Sequence, residues 1–401
     1  MALLRALRNA PRLYGALIVD HGLRPESADE ARLTKSRAEK LGVKAYILTW
    51  APGPLKTGLQ EKARHARYGL MGVFCRRHGL DRLLTAHHLG DQVETLVMRY
   101  DKGTDWRGAA GMKRETYAPL WPELAAVTLC RPLLSIPKAE ILNYLKHHEV
   151  DWIEDPSNAN RDFTRVRIRQ RLAQNEAETP KYVGPLLEAA QVLSRARSTE
   201  RDILADQASK ILTLDRNGFA LLSDRPYPEL LRHLLRVVSG TGGPIDGAQI
   251  RRALKKMRDP DFKALTLAGA KISKVETGFL LCRDAVAVKG RKDKTQTLYL
   301  HQDLPSELPS IWDGRFMALS REGGVSVAPL FGQMSSLPQK LSEKIKKYPP
   351  DVRLTLPLWR RGHHILGVGE GDFDGLSVYC LSGKRLEAVL GETNPIMYRN
   401  L

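Results

Sequence analysis

One stretch, Leu83-Leu84-Thr85-Ala86-His87-His88-Leu89-Gly90-Asp91-Gln92-Val93-Glu94-Thr95, restricts the fold more than any other. The apolar run of Leu80, Leu83 and Leu84 reads as a strand. Beyond it, Val93, Leu96, Val97 and Tyr100 recur as one face of a helix. A strand that enters a helix N-terminus through a polar turn is the building unit of open parallel sheets, whose ligands sit beyond the carboxyl ends of the strands. Asp91 and Glu94 are three residues apart on that helix and share a face, with Thr95 beside them. Two histidines, two carboxylates and a hydroxyl therefore converge. The same residues also suit a plainer role, an acidic first turn answering the helix dipole with histidines packed nearby.

The surrounding chain repeats the pattern. Met1, Leu3, Leu4 and Leu7 recur at helical spacing. Tyr14 to Val19 is a strand ending in Asp20-His21-Gly22-Leu23-Arg24-Pro25, and Ala28 to Leu41 is a helix with Ala31, Thr34, Ala38 and Leu41 on one face. Val43 to Trp50 is the next strand. After a Pro/Gly loop (Ala51 to Gly58), a helix runs from Leu59 to about His78. This alternation predicts an α/β fold with a doubly wound, mainly parallel sheet. Along the third helix Glu61, Arg64 and Tyr68 lie at i, i+3 and i+7 with Arg67 adjacent, a pattern that also fits a solvated face.

A loop containing Gly103, Gly108 and Gly111 leads to Arg131-Pro132-Leu133-Leu134. Ser135 and Pro137 then read as the cap and first turn of a helix carrying Lys138, Ile141, Leu142 and Leu145. Asp155-Pro156-Ser157-Asn158 and Phe163 precede Arg165, Arg167, Arg169 and Arg171, four guanidiniums in seven residues. Such a run suits phosphate binding through fork-like hydrogen bonds, or a basic helix start facing water.

Pro180 to Leu212 reads as one long polar helix, a spacer, followed by shorter helices at Pro228 to Val238 and Gly247 to Met257. After Lys263 the texture becomes short β-like runs: Leu265-Thr266-Leu267, Phe279-Leu280-Leu281, Val286-Ala287-Val288, Val325-Ser326-Val327 and Leu354-Thr355-Leu356. This half carries no catalytic motif and is expected to be a basic α+β appendage gripping a large substrate. Three regions result: 1–175, 176–260 as a helical linker, and a β-rich 261–401.

A length of 401 residues is too great for one ordinary core. No apolar run is long enough to cross a bilayer, which argues against a membrane partner. A formal charge of +18 points to a polyanion such as nucleic acid. Cys75, Cys130, Cys282 and Cys380 lie far apart and form no C-x-x-C pair, so a reduced, cytoplasmic setting is expected.

Taken together, Val19-Asp20-His21-Gly22-Leu23-Arg24, the A-R-x-x-R-Y of Ala63 to Tyr68, the H-H-x-x-D-Q-x-E-T of His87 to Thr95, Arg131 to Leu134 with Lys138, and the D-P-S-N block through Arg169 resemble the tRNA(Ile)-lysidine synthetases. These are a bacterial branch of the N-type ATP pyrophosphatases, the PP-loop enzymes. The likeness covers about the first 170 residues and fades beyond them, where only T-L-A-G-A at Thr266 and W-D-G-R-F at Trp312 suggest the family's tRNA-binding appendage.

The resemblance implies an adenine nucleotide alpha hydrolase-like fold and an ATP-dependent ligase. Free L-lysine is joined to C2 of the wobble cytidine in the CAU-anticodon isoleucine tRNA. The base oxygen is first adenylated, releasing pyrophosphate, and the lysine side-chain amine then displaces AMP. ATP is the co-substrate, Mg2+ the metal, and tRNA(Ile) and lysine the partners. A second copy of the chain is a further candidate partner.

Asp91 matches the family's essential aspartate. A free amine, with a pKa near 10.4, must lose a proton before it attacks, and a nearby carboxylate can anchor and deprotonate it. Glu94 would help Asp91 hold lysine or magnesium, and His87 would steady the adenylate. Arg67, with one of Arg165 and Arg169, would offset charge on the α-phosphate. His21, Arg24 and His88 would lie about the ATP, and Lys138, Arg167 and Arg171 would meet phosphate or tRNA.

Two departures stand out. Gly90 occupies a position where many relatives carry an acid. The family's S-G-G-x-D-S loop and its central strand would directly precede Met1, so the expectation is a sheet missing its first strand, a protein extending upstream, and weak ATP binding by the stretch as written. Two other readings compete: a tRNA-thiolating PP-loop enzyme, disfavoured by the lack of paired cysteines, and a tRNA-binding remnant without activity, disfavoured by the retained Asp91, His87, Glu94 and Arg67.

Overall fold

In the computed structural model, which describes residues 1–11, 13–22, 26–50, 59–152, 164–174, 179–289 and 301–391, the N-terminal half folds as alternating helices and strands. Helix α1 (Ala2–Leu7) leads to β1 (Ala16–Asp20), α2 (Ser27–Lys40), β2 (Ala45–Thr49), α3 (Leu59–Arg77), β3 (Arg82–Leu84) and α4 (Leu89–Asp101). Then come α5 (Trp106–Ala109), β4 (Glu115–Tyr117), β5 (Thr128–Cys130), α6 (Lys138–His147), α7 (Thr164–Gln174) and α8 (Thr179–Ile211).

Strands β1 and β2 pair in parallel, Ala16 opposite Ala45 and Asp20 opposite Thr49. Parallel neighbours need a crossover, and α2 supplies it, with Ala38 packed against Ala16, Val43 and Ala45. Strands β3 and β5 are also parallel, Arg82 opposite Thr128, and β4 runs antiparallel on the other side of β5. This is the α/β order expected from the alternating runs. The carboxyl ends of β1, β3 and β5 carry Asp20-His21, Thr85 to His88 and Arg131 respectively.

Two compact units divide the chain. The first comprises Met1–Cys75, Asp81–Pro119 and Val127–Glu200, and the second Arg76–Leu80, Leu120–Ala126 and Arg201–Leu401. The division falls inside α8, a helix of 33 residues.

The second unit is α+β with antiparallel sheets. One sheet orders its strands Leu212–Leu214, Ala220–Leu222, Gly278–Arg283, Ala270–Val275 and Ala264–Leu267. The helix Pro228–Ser239 adds Leu230, Leu231, Leu234, Leu235 and Val238 to the core on this sheet. Two further sheets of four strands follow. In the W-D-G-R-F run, Asp313 receives Arg283 Nη2 at 2.8 Å and Arg315 Nε at 2.7 Å, all three side chains being buried. Gly314 is required there, since a Cβ would lie 2.2 Å from the Gly240 carbonyl oxygen and φ is +62°.

Three local expectations need correction. Helix α6 begins at Lys138 with Pro137 at its N-cap and no side-chain cap, so Ser135 does not cap it. A proline drives the preceding residue out of the helical region, and Ile136 instead turns its carbonyl to the Leu89 N–H at 3.0 Å. Val286-Ala287-Val288 is helical (Ala285–Lys289), because Asp284 accepts from Val286 N at 3.2 Å through its side chain and from Val288 N at 3.1 Å through its carbonyl. Leu354-Thr355-Leu356 is a turn in which Thr355 N bonds the Val352 carbonyl at 3.0 Å, and the strand starts only at Pro357.

Candidate functional site

Asp20, at the carboxyl end of β1, shapes the first wall of the crevice. Its Oδ1 accepts from Ser27 Oγ at 2.7 Å and from Gly22 N at 3.0 Å, which hold its carboxyl below the usual range. His21 follows, its ring edge-on to Trp50 with centroids 6.2 Å apart. Burial, and then the charge of Arg67, lower the pKa of His21, and its Nδ1 is buried without a hydrogen-bond partner. Arg24 lies outside the described residues, as do Asp155 to Asn158 and Phe163.

The second wall is the junction of β3 and α4. His88 is the N-cap: its Nδ1 accepts from Gly90 N at 3.0 Å, and its backbone N–H donates to Asp91 Oδ2 at 2.9 Å. This reciprocal pair satisfies two of the N–H groups that a helix start leaves open. It also accounts for Gly90, since a Cβ there would come 2.8 Å from His88 Cε1. His88 thus spends one ring nitrogen on the cap, and Asp91 combines a capping oxygen with a partly exposed carboxylate at the crevice.

One turn on, Glu94 is 3% exposed. Its Oε1 accepts from Arg169 Nε at 2.8 Å, while Oε2 is buried without a partner. Arg169 lies on α7, which packs against α4. Because α7 is a helix, its evenly spaced arginines split between faces: Arg165 and Arg169 lie four apart on one side, Arg167 and Arg171 on another. Arg171 pairs with Asp101 at 3.1 Å, Arg167 donates to Thr164 Oγ1 at 3.0 Å, and Lys138 is exposed at the first position of α6.

The third wall comes from α3 and β5. Tyr68 is buried, and the guanidiniums of Arg64 and Arg67 lie 5.0 and 5.4 Å from its ring centroid. His87 turns Nδ1 to Thr85 Oγ1 at 2.8 Å. Burial pushes its pKa down to about 4, with Arg131, Arg165 and Arg64 acting in the same sense and Asp91 opposing them. His87 is therefore neutral at physiological pH. Four guanidiniums, those of Arg64, Arg67, Arg131 and Arg165, act on the two histidines of this crevice.

Such a crevice suits a phosphorylated ligand, with a carboxylate at its rim able to receive a cation or a proton. His21, Arg67, His87, Asp91 and Arg165 are thereby brought together, whereas Arg167, Arg171 and Lys138 take other faces. Arg64 and Arg131 were missed as site residues. The signal for each was its motif block, A-R-x-x-R-Y for Arg64 and Arg131 to Leu134 for Arg131, from which only Arg67 and Lys138 were given roles. Among the described residues no group of three His, Cys, Asp or Glu could hold a metal ion. A magnesium ion asks for less from protein, one or two carboxylates beside substrate phosphates, and Asp91 and Glu94 are the carboxylates in the first two turns of α4.

Residues 1–176 match the PP-loop domain family. The chain is 36% identical over 264 residues to the tRNA(Ile)-lysidine synthase of Bradyrhizobium diazoefficiens, covering 62% of this chain and 71% of that protein. It is 30% identical over 390 residues to the enzyme of that name from Brucella anthropi, covering 92% and 81%. With the Wolbachia pipientis wMel protein, again a tRNA(Ile)-lysidine synthase, the identity is 28% over 384 residues, covering 92% and 84%.

Proposed function

From the premise that the chain belongs to the tRNA(Ile)-lysidine synthase family, with a PP-loop domain that uses ATP, we propose the following reaction at the crevice. Free L-lysine is ligated to C2 of the wobble cytidine of the CAU-anticodon tRNA(Ile). The observation that carries this reading is Asp91, whose partly exposed carboxylate stands at the start of α4 among cationic groups suited to phosphate.

In the first step the cytidine O2 attacks the α-phosphorus of ATP, the bond to the β-phosphate oxygen breaks and pyrophosphate leaves. Negative charge grows on the α-phosphate oxygens, where Arg67 and Arg165 offset it, with Arg169 holding Glu94 in place. His87, neutral, offers a hydrogen bond to the adenylate without adding charge. His21, Arg24 and the remaining ring nitrogen of His88 border the nucleotide. Asp91 and Glu94 are the residues that would hold a magnesium ion, which would supply positive charge beside the phosphates.

In the second step Asp91 accepts a proton from the lysine side-chain ammonium. The freed amine bonds to C2, the C2–O2 bond breaks, and AMP leaves carrying O2 and that bonding pair. The outcome is lysidine, AMP and pyrophosphate.

We place the chemistry in residues 1–175. In this reading the β-rich region that grips the tRNA is 261–401 together with the strands Leu212–Leu214 and Ala220–Leu222 that join its sheet, so 176–260 is not a helical linker alone, and Lys138, Arg167 and Arg171 touch the tRNA backbone. The setting is the cytoplasm, and pairing of two copies is the assembly to look for. Labelled lysine offered with ATP and CAU-anticodon tRNA(Ile) tests the reading. Label should enter that tRNA and not one carrying uridine at the wobble position; no incorporation into either would overturn it.

A further inference from the structure

Arg131 carries a full charge into the floor of the crevice and is only 6% exposed. One corner of its guanidinium is anchored, Nη1 donating to the Lys113 carbonyl at 2.8 Å and to Thr116 Oγ1 at 3.1 Å. The other edge is unanswered: Nε is buried and, among the described residues, has no hydrogen-bond partner. Leaving such a donor unpaired is costly, and the Nε–Nη2 edge is the side from which arginine grips two oxygens at once. Burial above all makes the charge of Arg131 harder to keep, with Arg64 and Arg99 acting in the same sense and Tyr68 and Cys130 opposing them. Its surroundings therefore call for a two-oxygen anion.

On the neighbouring side is a group of opposite kind. The His87 ring is tied to the end of β5 through Thr85, whose Oγ1 meets His87 Nδ1 at 2.8 Å and donates to the carbonyl of Cys130, the residue before Arg131, at 3.3 Å, while Asp91 stands four residues beyond His87 in the first turn of α4. An amine-seeking oxygen and an anion-seeking fork thus flank one neutral imidazole. Lysine presents the matching pair, an amine at the end of its side chain and a planar carboxylate at its α-carbon.

We infer that Arg131 reads the α-carboxylate of the incoming lysine while Asp91 receives its side-chain amine. The inference rests on the lysine-transfer reading above and extends it to substrate selection. The α-phosphate is the competing two-oxygen anion, and Arg67 and Arg165 already answer it. A lysine at position 131 would keep the charge but lose the fork, so it is not a conservative replacement.

The test compares lysine with cadaverine, its decarboxylated form, and with lysinamide, on the parent chain and on Arg131→Lys. The parent should prefer lysine over both analogues. In Arg131→Lys the KM for lysine should rise at least about tenfold, the loss expected for a charged hydrogen-bonded contact. The preference for lysine over cadaverine should collapse toward equality in this variant, because cadaverine has no carboxylate to lose. A parent that uses cadaverine as readily as lysine overturns the inference, whatever the variant does. So does a variant in which pyrophosphate release falls along with lysine transfer, because Arg131 would then serve the phosphate or the scaffold. If the variant does not fold, the analogue series on the parent decides. Failure of the parent to transfer lysine at all would instead strike the lysine-transfer reading.

Discussion

The imidazole of His87 shows how burial and charge set the chemistry of a single residue. Its pKa falls from 6.5 to about 4, first through burial and then through Arg131, Arg165 and Arg64, with Asp91 pulling the other way. The folded value lies below the unfolded one, so the unfolded chain gains a proton as pH drops through 6.5 while the folded chain does not. The stability tied to this ring is complete above pH 6.5 and is lost as pH falls toward 4. His87→Gln should therefore flatten the fall of Tm between those values, and a variant whose Tm falls as steeply as the parent's would contradict the assignment. This shift could not be read from the sequence. His87 and His88 are adjacent and look alike, yet one is half-buried among arginines and the other caps a helix through Nδ1.

At the scale of elements, the W-D-G-R-F run is held by charge. Asp313 sits between Arg283 and Arg315, and the latter also donates to the Thr355 carbonyl at 2.6 Å. Asp313→Asn tolerates the left-handed backbone (φ 50°) but leaves two buried guanidiniums without a counter-charge. Unfolding in denaturant should show a loss of about 3–5 kcal/mol, and a change below about 1 kcal/mol would mean that the ion pairs contribute little there. Elements with long periodic stripes were legible before any coordinates. Helices α2, α3 and α4 and strands β1 and β2 fall within a few residues of their expected bounds. The exceptions were short runs whose outcome was decided by one neighbour: Asp284 turned Val286 to Val288 into a helix, and Pro137 delayed α6. β-branched composition over three residues is too weak a signal to resist such a cap.

For the whole molecule, the alternation of strands and helices sufficed to place the crevice at the carboxyl ends of β1 and β3, whereas β5 was not foreseen, and the quoted motifs led to His21, Arg67, His87 and Asp91. What remained hidden was how charges from distant segments meet. The pairing of Glu94 with Arg169 joins residues 75 positions apart. Asp91 carries the account, and its two roles can be separated. Asparagine retains an oxygen for the His88 N–H and so keeps the cap, but it cannot take a proton from an amine. The decisive measurement is single-turnover lysine transfer by Asp91→Asn, with pyrophosphate release followed in the same reaction. Lysine transfer should slow by about 10²–10⁴-fold, the usual contribution of a general base, and by far more than pyrophosphate release does. Transfer at the parent's rate would contradict the account.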